Sequence, residues 1–197
     1  MTRIVDRGAI TAAYVGIGMA VTIGVSFLLV IPIEPIYWLL ALPAGLLIGY
    51  YANQRSDRRM GPWSRIVINA LFAGLVTGLT LAALLLAVKA LFFFADSGYP
   101  DFNRIDPKTH QATAPFCDAG AGCVYARYGA ANGSGPALAA AGVSDVQGFT
   151  RVYWGQQFST AGTLIGLTAI GGLLGGVAYG VTRPKRDTVQ SAERAGA

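Results

Sequence analysis

The apolar positions of this chain fall in long unbroken runs rather than in alternation. Four runs stand out, at 9–31, 35–53, 64–95 and 158–182. A bilayer core of about 30 Å is crossed by about 20 helical residues, so each run is long enough to span it. The stretch VINALFAGLVTGLTLAALLLAV contains no ionisable group. The period-two alternation of half-buried strands is absent. The pattern predicts an all-α integral membrane protein. It is a four-transmembrane-helix bundle with a large, mostly irregular extracytoplasmic loop between helices 3 and 4.

The expected order is a cytoplasmic tail at 1–8, two spans, a basic cytoplasmic loop at 54–63 and the third span. A loop or cap at 96–155, the fourth span and a basic tail at 183–197, read as disordered, complete it. At 1.5 Å per residue the third span approaches about 48 Å, so it must tilt or project from the hydrocarbon. Pro43 removes one helical donor from the second span and should kink it. The first run exceeds the 7–15 apolar residues of a signal peptide and lacks an A-x-A-like site after it, which reads as an uncleaved span.

Composition agrees. The chain is 53% hydrophobic and only 13% charged, against about 25% charged residues in a soluble domain. Its mean hydropathy is +0.49. The formal charge of +5 belongs to the span flanks and forms no basic helix face or aromatic platform, so nucleic-acid binding is set aside. One side collects Arg3, Arg7, Arg55, Arg58, Arg59, Arg65, Arg183, Lys185, Arg186 and Arg194 against Asp6, Asp57, Asp187 and Glu193. The other has Arg104, Lys108, Arg127 and Arg151 against Glu34, Asp96, Asp101, Asp106, Asp118 and Asp145. Basic loops stay inside, so both termini should be cytoplasmic in a plasma membrane, with 96–155 outside. Tyr37, Trp38, Phe92, Phe93, Phe94, Tyr153, Trp154 and Phe158 mark the outer interface; Tyr50, Tyr51, Trp63 and Tyr179 mark the inner one.

Within the spans, small residues recur every four positions, which places them on one helical face. The first span has Ala12, Gly16, Ala20 and Gly24; the second has Ala41, Gly45 and Gly49. The third has Ala70, Gly74, Gly78 and Ala82, and the fourth has Gly172, Gly176 and Gly180 beside a second track of Gly171 and Gly175. Such tracks let lipid-embedded backbones approach closely and gain van der Waals contact. Whether the double track serves this bundle or another subunit is open from spacing alone.

The only cysteines, Cys117 and Cys123, flank five residues that include two glycines. In an oxidising compartment this favours a structural disulfide, stabilising by about 2 kcal/mol. A redox pair would prefer Cys-x-x-Cys, and a zinc site using His110 and Asp118 would want closer thiolates and a fourth ligand. The turns at Asp106-Pro107 and 132–136, a short helix from Pro136 ended by Gly142, and Phe102, Phe116, Tyr125, Tyr128 and Phe149 point to an ordered cap.

Lys89 is the single charge embedded in an apolar run. It is read as an interfacial anchor, its amine snorkelling outward or pairing with Glu34. Asn69, Thr77, Thr80, Thr163 and Thr168 read as interhelical or backbone-bonded polar groups. No phosphate loop occurs, and a single His excludes bis-histidine haem ligation. No catalytic residue, metal or cofactor is assigned. The layout resembles that of tetraspanins, but the loop lacks their Cys-Cys-Gly signature and no family is assigned. The expectation is a non-catalytic accessory or scaffold subunit. It would pack against other membrane subunits, or against copies of itself, through small-residue helix faces and the outer cap. A small oligomeric channel or transporter is the alternative, and a membrane thiol-redox enzyme a third.

Overall fold

A computed structural model describes residues 5–26, 34–56, 61–95, 119–130 and 134–183. All regular structure among them is helical: α1 (Arg7–Gly24), α2 (Glu34–Gln54), α3 (Trp63–Phe94), α4 (Ala121–Ala130), α5 (Ser134–Ala140) and α6 (Val146–Thr182). α1, α3 and α6 are long and apolar enough to cross a membrane. α2 has 21 residues with Pro43 inside it. The end of the first expected span beyond residue 26, the segment 96–118 and the tail beyond 183 lie outside the described residues.

The four long helices pack side by side. α6 lies against both α2 and α3, which touch each other, and α1 lies against α2 and α3 from the other side. α4 and α5 sit together at one end, α4 reaching α6 and α3. The radial order of side chains is the reverse of a soluble domain, whose large apolar residues go inside. Here Ala9, Ala12, Ala20, Ala41, Ala52 and Ala70 are buried to 0% exposure, whereas Leu39, Leu47, Leu79, Ile170 and Val181 are exposed. In lipid the large apolar side chains lose nothing by facing outward, and small ones inside let the helices close up.

The glycine tracks show how tightly. A Cβ placed on Gly45 would meet the backbone of Thr168, and one on Gly49 the backbone of Gly172, with the Gly172 Cα at 2.7 Å. On α3, a Cβ on Gly74 would lie 2.6 Å from the Thr168 carbonyl oxygen, and one on Gly78 2.9 Å from the Ile165 Cα. α6 presents both its tracks inward. Gly171 and Gly175 abut the α2 backbone at Leu42, Leu46 and Tyr50, while Gly172 and Gly176 abut Ala70 of α3. The double track therefore serves this chain's own bundle. On α1, Gly16 faces the Thr77 side chain, and Gly24 is buried.

The cap end differs from the expected irregular loop. α6 begins at Val146 rather than 158, and its 37 residues extend about 55 Å at 1.5 Å each, well beyond a hydrocarbon core. Asp145 starts it as an N-cap, its Oδ1 accepting the Gly148 N–H at 2.6 Å. α5 stops at a reversal in which Gly142 takes φ +72°, a region only glycine adopts cheaply. There the Gly142 N–H donates to the Ala139 oxygen and the Val143 N–H to the Leu138 oxygen, both at 2.9 Å. This is the paired closure of a Schellman motif. The short helix expected from Pro136 and ended by Gly142 is α5, whereas α4 and the first turns of α6 were not expected, the latter because they interrupt their apolar residues with Gln147, Thr150 and Arg151.

Substituting alanine at Gly49 or Gly172 should lower stability by about 1–3 kcal/mol, since overpacking forces backbones apart. The same change at Gly162, where a Cβ meets nothing within 4 Å, should be neutral or stabilise by up to about 1 kcal/mol. Unfolding of the purified protein in mixed micelles with graded dodecyl sulfate reads the difference.

Candidate functional site

The densest polar cluster joins the start of α1 to the α2–α3 connection. Asp6 precedes the first turn of α1, its carbonyl oxygen accepting the Ala9 and Ile10 N–H groups at 3.1 and 3.2 Å. A capping Asp normally turns its carboxylate onto its own helix. Here the side chain makes no capping bond and points into the bundle. Oδ2 accepts from Ser56 Oγ at 2.8 Å and Asn69 Nδ2 at 3.2 Å. Oδ1 accepts from Arg65 Nη1 at 3.3 Å, and the Asp6 N–H donates to Asn69 Oδ1 at 3.3 Å. Asp6, Ser56 and Asn69 are all buried. One turn deeper, Asn53 donates through Nδ2 to the Gly49 oxygen at 3.0 Å and across to the Ile66 oxygen of α3 at 3.2 Å. Gly8 leaves no room for a Cβ beside the Arg55–Ser56 backbone, so α1 begins directly on the end of α2.

A second tie closes the same end between α3 and α6. Arg183 follows the last turn of α6 and donates through Nη1 to the Gly61 oxygen at 2.6 Å. Its guanidinium lies over the Trp63 ring, 5.6 Å from the centroid, and that ring covers Gly180. Tyr50 and Tyr179 meet edge to face at 5.6 Å, joining α2 to α6.

The opposite end is aromatic. Phe93 meets Tyr153 at 4.8 Å and Trp154 at 5.5 Å. Phe149 meets Tyr125 at 5.4 Å and Tyr128 at 5.3 Å. With Val124, Val143 and Leu138 these rings bind α4 and α5 to the projecting part of α6. Phe102 and Phe116, also expected in the cap, lie outside the described residues.

Lys89 is buried, 4% exposed, one turn before the equally enclosed Phe93. Its stem and amine are enclosed by the helices around it. Glu34 is the first residue of α2, its side chain outside the described residues. Cys123 lies buried on α4; Cys117 and His110 are outside the described residues. No group of three or more His, Cys, Asp or Glu among the described residues could hold a metal ion. Thr77, Thr80, Thr163 and Thr168 each donate to the carbonyl one turn back, at 2.9–3.0 Å. Every buried side-chain nitrogen and oxygen among the described residues has a hydrogen-bond partner.

Chemically these groups tie helices together. Among the described residues Ser56, Asn69 and Arg65 all donate to the Asp6 carboxylate, which suits a fastener better than a base or nucleophile. Sequence reasoning counted Asp6, Arg65 and Arg183 only as topology charges. An Asp directly before an apolar run is a helix-start signal, which marked the position but not its partners. No protein-family model, curated protein or solved structure matches this chain.

Replacing Asp6 by Ala removes the carboxylate acceptor that Ser56, Asn69 and Arg65 share and should cost about 2–3 kcal/mol. Ser56→Ala should cost about 1 kcal/mol. Arg65 has 24% side-chain exposure, so Arg65→Gln should cost no more than about 1 kcal/mol, the range of a partly exposed pair. Unfolding in the same mixed micelles ranks the three.

Proposed function

We propose that this protein is a non-catalytic subunit of a membrane assembly that meets its partners mainly through the helical cap. The observation that carries the reading is the use of the glycine faces. The adjacent tracks on α6 are filled by α2 and α3 of the same chain, which removes the helix faces best suited to dock a second protein. What remains on the long helices is large and apolar, as lipid contact requires. The cap, by contrast, builds ordered helices on an aromatic base, a larger structure than a simple connection between spans would need.

In this reading α2 is a fourth span, its 21 residues matching the length needed. Both termini are cytoplasmic, since basic residues gather at that end, and the cap faces outward from the plasma membrane. The Cys117–Cys123 bridge belongs to the same proposal. It is supported by Cys123 not being a free thiol and by Cys117 being the only other cysteine.

A small oligomeric channel or transporter is the second reading, favoured by one observation: Lys89 is enclosed within an apolar helix, and buried intramembrane charges often serve transport. Against a path inside the single bundle stands the backbone contact along the α2–α6 and α3–α6 seams. A thiol-redox enzyme is less well supported, since Cys123 is only 7% exposed and reactive thiols sit in accessible places.

Photo-crosslinking residues at Ala126 and Ala139, both exposed on the cap, should capture a partner in native membranes. The same residue at Leu47 or Leu174 should label lipid. A partnerless, monodisperse monomer after gentle solubilisation, or capture only from Leu47 and Leu174, would overturn the proposal. Cysteine labelling from outside intact cells should reach Ala126→Cys and miss Arg7→Cys; the reverse pattern would invert the topology.

A further inference from the structure

The end of the bundle that holds Asp6 carries its cations on the rim and its carboxylate inside. Arg7 and Arg55 are exposed where α1 starts and α2 ends, and Arg183 is half-buried where α6 ends. Asp6 is buried against Arg65. No exposed carboxylate stands beside these arginines among the described residues.

Two of the arginines lie over aromatic rings. Arg55 lies over Tyr51 at 5.6 Å and Arg183 over Trp63 at 5.6 Å. Trp63 is itself 46% exposed. A guanidinium attracted to a ring face is restrained in place while keeping N–H donors for other partners. Among the described residues Arg183 spends one donor on the Gly61 oxygen and retains the rest of its fork. Both clamps lie where membrane-length helices terminate, the depth at which phosphate groups of lipids sit. A planar fork matches a phosphate better than a point charge does.

We propose that the Arg55–Tyr51 and Arg183–Trp63 clamps, with Arg7, form a binding surface for the headgroups of anionic phospholipids. The proposal rests on the membrane reading above and adds a lipid class to it. Each clamp holds one guanidinium at headgroup depth, and the nearby carboxylate of Asp6 is turned inward, away from that surface. Binding weakens with ionic strength, as expected for partly exposed charges.

The test uses the full chain in lipid nanodiscs made of equal parts phosphatidylglycerol and phosphatidylcholine, read by native mass spectrometry of retained lipid. Phosphatidylglycerol should be retained preferentially. Arg55→Gln and Arg183→Gln should each reduce that preference about fivefold, the contribution of one basic residue near a charged surface. Arg151→Gln changes an exposed arginine at the cap end and should leave the preference intact. Equal retention of the two lipids by the unaltered protein overturns the proposal, as does a loss in Arg151→Gln matching that in Arg183→Gln. Should Arg183→Gln fail to fold, Arg55→Gln and the unaltered protein still decide. Displacement of the lipid by inorganic phosphate, or by poly-glutamate at equal charge, would reassign the patch to a soluble anion or an acidic protein and overturn the lipid assignment. A chain that enters no nanodisc, even of phosphatidylcholine alone, fails the membrane reading. One that enters without preference fails only this proposal.

Discussion

Two adjacent rows of glycine on α6 let its backbone lie against the backbones of α2 and α3 at once, and the remaining packing follows from that approach. In lipid there is no gain in hiding a leucine from its surroundings, so helices associate through close contact and hydrogen bonding. Where Gly49 faces Gly172 and Gly175 faces Leu46, that contact is made by main chain. A single methyl would intrude on it. α6 consequently holds α2 and α3 on its two glycine faces. α1 completes the outside through α2 and α3, using alanines and Gly16.

Close packing along the middle is matched by different fastenings at the ends. At one end the polar side chains are brought inside: Asp6 collects donors from α3 and from the connection between α2 and α3, and Arg183 reaches back to Gly61. Such bonds are directional, and they fix the register in which the small-residue faces meet. At the other end rings take over, with Phe93, Phe149 and Tyr153 seating α4 and α5 on the projecting turns of α6. The bundle is thus tightest where it has least side chain, and its distinctive surfaces lie at its two ends.

The apolar runs made the long helices readable to within a few residues at most boundaries; α3 covers Trp63–Phe94 against an expected 64–95. The four-residue spacing identified which residues share a face, because helical geometry fixes that locally. It could not identify what each face meets. Gly172 and Gly49 are far apart in sequence, and only the folded chain brings them together. The same limit applies to Asp6 with Asn69 and Arg183 with Gly61. Their positions carried signals of helix ends and topology, but a pairing of distant residues leaves no local trace. The start of α6 was missed for another reason. Its first turns lack the continuous apolar character of a span, and a single capping contact from Asp145 to Gly148 is enough to begin the helix.

α6 spends both of its glycine faces within its own chain. Spin labels at Leu47 on α2 and Leu174 on α6, both on the exposed surface, report on it directly in bilayers. Packing of α2 on α6 within one chain predicts a short, narrow distance distribution that is unchanged when labelled protein is diluted with excess unlabelled protein. A short distance that vanishes on dilution would mean that α2 and α6 pair between chains, and would contradict it.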